Sequence, residues 1–476
     1  MNFVSQEFVM FLLAVWLLFL FLLPKYRAPM ILVASYLFYA TWSIPYIAVI
    51  LFTTTVDYWM SRVIDRSDNP LKRKCALTFG LIINLLVLAY YKYGLLHWFG
   101  WELNIPPEMG ALGSVLNVIL PLGISFYTFE AISYMMDVYR GHEPAKNWLD
   151  YNFYIMYFPH LISGPIIRYG ELWLQYKEPL KLPSLERLAK GFELILLGYC
   201  FKVLIADYAA KISDPVFASP ETVGVLVTYA GVLAFTVQIY FDFMGYTHIA
   251  RGVSLLLNIE MPLNFNHPYH AQNISDFWAR WHMSLSRWIR DYLYFPLGGS
   301  RCSQARTLFN LMTTMLICGA WHGAGWTYVV WGGWHGLLLC VYHVYKTSRE
   351  KLGVTTTMLS NRYYDLASMG ITFMAVVAGW VFFRATDFAN AAAVFANLGN
   401  VGQALGELSA SGSLKQLAII ALLLLCCWVG PLAVRVLEGW YRPLPYWAKV
   451  QVACVAMLLC WVASAENAVP FIYFQF

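Results

Sequence analysis

The chain has 476 residues, of which 59% are hydrophobic and only 12% are charged. A soluble globular protein carries about twice that charged fraction, so the composition excludes that class. The formal net charge is +5, but no basic run with interleaved aromatic residues suggests a nucleic-acid partner. The composition therefore predicts an all-α integral membrane protein.

Apolar stretches long enough to cross the hydrocarbon core recur along the chain, and they predict about ten to twelve crossings. The predicted spans are residues 8–23, 28–42, 45–60, 75–99, 113–138, 190–212, 222–245, 307–320, 325–345, 367–385, 416–437 and 446–464. The first span lacks a basic leading segment and a small-residue cleavage site, so we expect it to be retained rather than removed as a signal peptide. No repeat or soluble segment able to fold alone is evident, and residues 1–476 are interpreted as a single polytopic domain.

Charged residues between the early spans predict their orientation. Several arginine and lysine residues lie in the segment 62–74, whereas Glu102 and Glu108 are the only charged residues of the loop at 101–113. The next loop is basic again, with Arg140 and Lys146. Cytoplasmic loops carry an excess of Lys and Arg. The basic loops are therefore predicted to be cytoplasmic.

The segment 154–165 departs from a simple spanning helix. Pro159, Gly164 and Pro165 would interrupt a helix every few residues. Such backbone is tolerated at membrane depth only where protein or a water-filled cavity satisfies its polar groups. We therefore predict a re-entrant segment that lines a cavity, and Pro159 is a candidate substrate-binding residue.

Several polar residues lie within the apolar stretches, namely Glu130, Asp137, Lys202, Asp207 and Asp242. Two interpretations stay open for them, buried pairs that hold helices together and functional groups. Asp242 and the nearby Tyr246 are candidate substrate-binding residues. Arg251 and Arg384 are expected to extend toward the membrane surface from span ends.

Residues 276–295 have the pattern of an amphipathic helix at the membrane surface. At about 100° per residue, polar residues fall on one stripe and aromatic and aliphatic residues fall opposite. The spacing of four residues predicts ion pairs of Asp276 with Arg280 and of Arg287 with Asp291. His282 falls on the side of the tryptophans and is predicted to point into the protein.

A histidine surrounded by glycines, His322, stands in Gly-Ala-Trp-His-Gly-Ala-Gly-Trp between two apolar stretches. Titratable residues at membrane depth are costly, and an imidazole can take up and return a proton near neutral pH. Gly319, Gly323 and Gly325 permit close approach of a ligand or of another backbone. His322 is therefore a candidate general base; a core histidine bonded to a neighbouring carbonyl is the alternative.

Tryptophans near these histidines predict an aromatic wall. Trp326 with Trp331 and Trp334 is expected to form it, and Trp281, Trp321 and Trp326 are candidate substrate- or donor-binding residues.

A metal site is the other interpretation of the histidines. His282 and His322 could pair, with His267 and His270 as further ligands, but nothing fixes three or four convergent ligands at short spacing. The segment 266–270 is interpreted as a turn, because its proline breaks a helix. No metal and no cofactor are expected. No nucleophile elbow, phosphate-binding Gly-rich loop or HExxH helix is visible, so histidine-assisted direct transfer is the simplest chemistry.

Segments spread in order along nearly the whole chain resemble the membrane-bound O-acyltransferase (MBOAT) family, in particular its bacterial alginate O-acetylation branch. They are residues 122–134, 158–165, 277–292, 298–301, 321–323, 331–336 and 471–476. The resemblance implies a ring of tilted helices around a thinned centre, with a funnel from the cytoplasm that meets a channel from the other side. It also implies that His322 is essential for acyl transfer and that His282 is its partner.

The resemblance further implies a function. The chain is expected to move an acetyl group from cytoplasmic acetyl-CoA, as a substrate, across a bacterial inner membrane for O-acetylation of an exopolysaccharide, through a periplasmic partner protein. The segment 241–248 departs from the usual Phe-Asp-Phe-Ser-Gly-Tyr-Ser-Asp by a methionine and a histidine, which leaves alginate, cellulose and other secreted glycans open. The alternative is a transporter that passes an acyl or sugar species without forming a bond.

Overall fold

The computed structural model describes residues 1–94, 120–161, 164–353, 361–408, 413–429, 439–440 and 443–467. Every regular element within these ranges is helical, which confirms the all-α fold class. Some predicted features lie outside the described residues. They are the acidic loop at 101–113, the segment 471–476, and parts of the predicted spans 75–99, 113–138 and 416–437.

The chain divides into two compact units. The first unit contains Met1–Ile195 and Tyr246–Pro262, and the second contains Leu196–Gly245 and Leu263–Phe476. The interpretation of residues 1–476 as a single polytopic domain stays a prediction.

The first unit begins with long helices and continues with short, interrupted ones. Its helices in chain order are α1 (Gln6–Phe21), α2 (Pro24–Ala40), α3 (Pro45–Arg66), α4 (Pro70–Tyr93), α5 (Ile124–Tyr139), α6 (Trp148–Met156), α7 (Phe158–Leu161), α8 (Tyr169–Tyr176) and most of α9 (Leu185–Tyr199).

Local sequence accounts for the helix ends in this unit. The Asn69 side chain accepts hydrogen bonds from the amides of Leu71 and Lys72 at the start of α4, and Pro70 occupies the first turn, where its missing N–H costs nothing. Gly94 ends α4 with a φ of 56°, a left-handed conformation that suits glycine.

A π-helical segment, Cys200–Ala206, continues α9 in the second unit. The remaining helices are α10 (Asp207–Ala218), α11 (Val225–Leu256), α12 (Ile274–Arg280), α13 (Met283–Ile289), α14 (Gln304–His322), α15 (Trp326–Lys351), α16 (Arg362–Arg384), α17 (Phe388–Gly399), α18 (Val401–Leu408), α19 (Ser413–Trp428) and α20 (Tyr446–Asn467). The chain passes between the units three times: inside α9, inside α11 and after Pro262.

Among the described residues, 4 helices are long and apolar enough to cross a membrane by length and composition: α3, α4, α11 and α16. Some of the other predicted spans correspond to shorter helices, such as α1 with 16 residues. At 1.5 Å per residue that helix is about 24 Å long, which is less than the hydrocarbon core of about 30 Å.

The prediction of one continuous helix over residues 276–295 is wrong. The helix stops at Arg280, and His282 adopts a φ of 42°, which separates α12 from α13. The break has a long-range cause, because the Asn264 carbonyl accepts from the Met283 amide at 2.9 Å and the Arg280 carbonyl accepts from the Asn266 amide at 2.9 Å.

The predicted ion pairs of this segment have mixed outcomes. Arg280 and Asp276 pair at 2.8 Å, as predicted. Asp291 pairs instead with the adjacent Arg290, at 2.7 Å, because a π-helical segment from Arg290 to Tyr294 changes the spacing that would bring Arg287 to it.

Candidate functional site

His322 is the last residue of α14, at the tip of a helical hairpin. The Ser303 side chain caps the start of α14, and Gly325 precedes the first turn of α15. The two helices pack backbone to backbone, because a Cβ at Gly319 would lie 3.0 Å from the Cα of Gly332. The glycine at 319 thus admits another backbone, which is one of the two roles that the sequence predicts for it.

Aromatic rings surround the His322 imidazole, which is 5% exposed. The ring centroids of Trp321, Trp331 and Phe383 lie 4.8, 4.9 and 5.2 Å from its own. Gly323 follows directly, and a side chain there would collide with the ring of Tyr328. The glycine therefore allows an aromatic residue to close over the hairpin tip beside the histidine.

His282 is fully buried, as its place on the amphipathic pattern predicts. Its Nδ1 lies 3.1 Å from the Asn264 side-chain oxygen, which also accepts from the Ser284 amide at 3.2 Å and the Ser284 hydroxyl at 2.9 Å. An amide NH₂ in that place would face the Ser284 N–H, so the oxygen assignment is the favourable one.

The Asn264 oxygen fixes the tautomer of His282. Because that oxygen is an acceptor, Nδ1 carries the proton and donates it, and Nε2 keeps its lone pair. Nε2 has no hydrogen-bond partner among the described residues. Burial lowers the pKa of the His282 imidazole to about 3, so the ring is neutral at physiological pH. His282 therefore presents a buried acceptor nitrogen in a fixed orientation.

Both histidines belong to one aromatic cluster in the second unit. His282 contacts Phe243 with 4.8 Å between ring centroids, and Trp281 contacts Trp380 at 4.9 Å. Trp380 stacks on Trp331 at 5.9 Å, with 18° between the ring planes. Phe265 contacts both Phe243 and Trp281, with 5.1 Å between ring centroids in each case. These contacts complete the connection from His282 to His322.

The candidate tryptophans have different surroundings. Trp321 and Trp281 are buried in the cluster, whereas Trp326 is 72% exposed. Trp331 contacts His322, and the Trp334 indole donates to the Ala375 carbonyl at 2.8 Å. The expected wall is therefore built by Trp331 and Trp380 rather than by Trp326.

Asp242 lies in a buried charge cluster of the second unit. Lys202, on the π-helical segment, is 3.0 Å from Asp242 and 2.6 Å from Asp207. All three side chains are at most 4% exposed. Buried charges of this kind are tolerated when they are paired, so the contacts fit the interpretation that these residues hold helices together.

Tyr246 and Pro159 lie in the first unit, and both are buried. The Tyr246 ring stacks on Phe3 with 5.9 Å between centroids. Their role as substrate-binding residues stays a prediction.

The segment 154–165 is broken as its prolines and glycine predict, with α7 as a single turn. His160 Nδ1 lies 2.8 Å from Glu130 and Nε2 lies 2.9 Å from the Tyr154 carbonyl. Both ring nitrogens therefore face acceptors, so the buried pair secures the segment rather than presenting a base to a ligand. Glu130 could be recognised in the sequence as a polar residue within an apolar stretch, but its partner His160 could not.

Comparison with known proteins decides the family. The profile of MBOAT, the membrane-bound O-acyltransferase family, matches residues 144–383. The chain belongs to the membrane-bound O-acyltransferase family. The "Probable alginate O-acetylase" of Pseudomonas putida is 36% identical over 506 residues, which cover 100% of each chain.

Two further relatives extend the comparison. A protein of the same name from Pseudomonas aeruginosa is 40% identical over 397 residues, covering 81% of this chain and 72% of the relative. The "Peptidoglycan O-acetyltransferase" of Helicobacter pylori is 33% identical over 417 residues, covering 82% and 77%. The chain is thus a multi-pass membrane O-acyltransferase. Its relatives are named as O-acetylating enzymes, so an acyl-transfer enzyme is favoured over the transporter alternative.

One buried histidine, His335, lies in the family-like segment 331–336 but was not predicted to be a site residue. His335 lies one helical turn after Trp331 and is fully buried, with 4.9 Å between the two ring centroids. Neither ring nitrogen has a hydrogen-bond partner among the described residues. The four-residue spacing from Trp331 is the signal that places it on the same helix face.

No group of three or more His, Cys, Asp and Glu side chains is placed to hold a metal ion in the part of the chain that the structure describes. The turn at 268–270 forms as predicted, and the His270 Nε2 is hydrogen-bonded to the Trp428 carbonyl at 2.8 Å.

Proposed function

We propose that this O-acyltransferase takes the acetyl group of cytoplasmic acetyl-CoA and supplies it for O-acetylation of an exopolysaccharide, alginate or a similar secreted glycan. It would act in the bacterial inner membrane through a periplasmic partner protein. The observation that carries the proposal is that relatives named for O-acetylation align with 81% to 100% of the chain.

In the proposed chemistry, His322 acts as the general base. It accepts the proton of an acceptor hydroxyl while the oxygen attacks the thioester carbonyl. The C–S bond then breaks, and the CoA sulfur receives the proton, so the products are the acetyl ester and free CoA. General-base assistance contributes about 10²–10⁴ in rate. Burial of His322 among Trp321, Trp331 and Phe383 supports a site that excludes bulk water.

His282 is proposed as the positioning partner. Its Nε2 lone pair, oriented by Asn264, is suited to accept a hydrogen bond from the acceptor hydroxyl or from a water beside it. A neutral ring performs this role without adding charge to an apolar site.

The need for a partner protein follows from the charge of the acyl donor. A CoA thioester carries several charges and should not cross the hydrocarbon core, so only the acetyl group passes to the far side. The acceptor would be a hydroxyl on the partner, which then acetylates the polymer.

A sided reconstitution tests the relay. Proteoliposomes would receive labelled acetyl-CoA on the side of the basic loops and alginate on the other side. We expect label in the polymer only when the periplasmic acetyltransferase is added. Efficient labelling of alginate without any added protein would contradict the relay, while the membership in the O-acyltransferase family would stand.

A further inference from the structure

A cavity of about 240 Å³ opens between α9, the end of α11 and the residues after it in the first unit. Three cationic side chains line it, those of Arg187, Lys190 and Arg251. An apolar surface of leucine and methionine side chains lies beside them, together with Glu186 and Glu260. The cavity thus combines excess positive charge with an apolar wall.

Contacts within the first unit place this cavity on the side of the basic loops. Arg62 donates to the Lys146 carbonyl, and Arg73 donates to the Tyr139 carbonyl at 2.9 Å. These contacts join the end of α3 and the start of α4 to the end of α5 and the loop after it.

The same face continues to the cavity. Tyr176 donates to the Asp150 carbonyl at 2.8 Å, and Gln175 donates to the carbonyl of Glu260, a cavity residue, at 2.9 Å. Because basic loops face the cytoplasm, the cavity is expected to open at the cytoplasmic surface.

Arg251 is the cation best suited to receive an anion. It is half-buried, and its Nε donates to the Met261 carbonyl at 3.3 Å. It forms no ion pair with a described residue, whereas Arg187 reaches Glu260 at 3.5 Å and Lys190 reaches Glu193 at 3.3 Å. A half-buried guanidinium with its terminal N–H groups available offers the forked geometry that binds phosphate oxygens.

We propose that this cavity is a binding site for the phosphate of an amphiphilic ligand at the cytoplasmic surface. Arg251, Lys190 and Arg187 would contact the phosphate oxygens, and the adjoining apolar part of the ligand would pack on Leu255 and Met261. The ligand is a glycerophospholipid headgroup or the phosphate end of CoA. The site goes beyond the proposed function, and only its occupation by CoA rests on that function.

The size and position of the cavity support a phosphate-bearing fragment. Pockets that hold a whole drug-sized ligand measure about 300–1,000 Å³, so about 240 Å³ suits a headgroup rather than an entire CoA molecule. Basic residues at the cytoplasmic membrane surface attract anionic lipids. The two carboxylates that line the cavity leave a net excess of one positive charge (three cations minus two carboxylates), which favours an anion over a cation.

Two binding measurements on the purified full-length protein distinguish the sources. Native mass spectrometry would measure the Kd of dioleoyl-phosphatidylglycerol, and equilibrium dialysis would measure the Kd of labelled CoA. The variants are Arg251→Gln and Lys190→Gln. Lys181→Gln is the matched control, because it removes an exposed charge from the loop before α9 without touching the cavity.

We expect each cavity variant to raise the Kd of at least one probe by about tenfold or more, the usual effect of losing a charged hydrogen bond. The control should leave both constants nearly unchanged. The probe that responds identifies the source. Wild-type protein that binds neither probe, cavity variants with unchanged constants, or a control that loses as much would overturn the proposal.

Lys190→Gln decides the matter if Arg251→Gln does not fold, since Lys190 is 44% exposed and is not needed for packing. Neither readout involves acetyl transfer. Failure of the site is therefore distinguishable from failure of the proposed reaction.

Discussion

The orientation of one imidazole depends on a single amide oxygen. Asn264 is 1% exposed, and its side-chain oxygen receives three donors from His282 and Ser284. Its effect on His282 resembles that of the carboxylates and carbonyls that fix the tautomer of catalytic histidines elsewhere. Asn264 is therefore a positioning residue in the proposed reaction.

Asn264→Ala should lower both stability and acyl transfer. The substitution leaves the buried donors of His282 and Ser284 without their acceptor, which costs about 1–3 kcal/mol per group. Asn264→Asp keeps an acceptor oxygen and should retain more activity than the alanine variant. Thermal unfolding in detergent and acetyl-CoA turnover provide the measurements. Equal activity in the alanine variant and the wild type would remove the positioning role.

The stability of the protein should fall between pH 7 and pH 5, partly through His282. The unfolded chain binds a proton on this residue near the ordinary pKa of about 6.5, whereas burial lowers the folded pKa to about 3. Below pH 6.5 the unfolded state thus binds more protons, so stability is lost as the pH falls. His282→Asn should flatten this slope in thermal unfolding. An identical slope in both proteins would contradict the buried neutral ring.

At the residue scale, contacts with a local determinant could be predicted from the sequence. The Asp276–Arg280 pair follows from helical spacing within α12 and is confirmed. The burial of His282 is confirmed as well, although the helix on which it was predicted is broken at that residue. The Asn264 contact spans 18 residues of chain, so periodicity could not reveal it or the break at His282 that it accompanies.

At the scale of elements, glycines set the distance between α14 and α15. A Cβ at Gly332 would lie 3.0 Å from the Cα of Gly319, a distance that only a shift of one helix could relieve. The adjacent Gly333 faces a different environment, since its Cβ would meet only a Leu316 methyl at 3.4 Å. The hairpin that carries His322 therefore depends on one glycine and not on its neighbour.

Gly332→Ala should destabilise the protein by about 1–3 kcal/mol, the usual cost of overpacking. It should also lower acyl transfer, because separation of the helices displaces the hairpin tip. Gly333→Ala is the matched control and should be close to neutral. The two melting temperatures in the same detergent give the comparison; equal values would show that the hairpin is not closely packed.

The broken segment shows what sequence can predict about an element. Proline and glycine determine that α7 is a single turn, and this part of the prediction is confirmed. The Glu130–His160 pair joins two helices 30 positions apart in the chain (160 − 130), so no local pattern could indicate it.

At the scale of the whole molecule, the family and the helical class could be predicted from sequence because motifs and apolar stretches survive divergence. Matches over 100% of the chain at 36% identity support both. The number of membrane crossings is harder to predict from the sequence, because only 4 described helices have the length and composition of a span. Short helices such as α1 favour a locally thinned bilayer, which stays a prediction of the family architecture.

The central claim is that His322 is the general base of acyl transfer, and turnover of acetyl-CoA by purified variants tests it most directly. His322→Ala should reduce acyl transfer by about 10²–10⁴ while the protein remains folded and membrane-inserted. His343→Ala, a substitution of a half-exposed histidine on α15, is the control and should retain nearly full activity. A His322→Ala protein that keeps more than about a tenth of wild-type transfer would contradict the account.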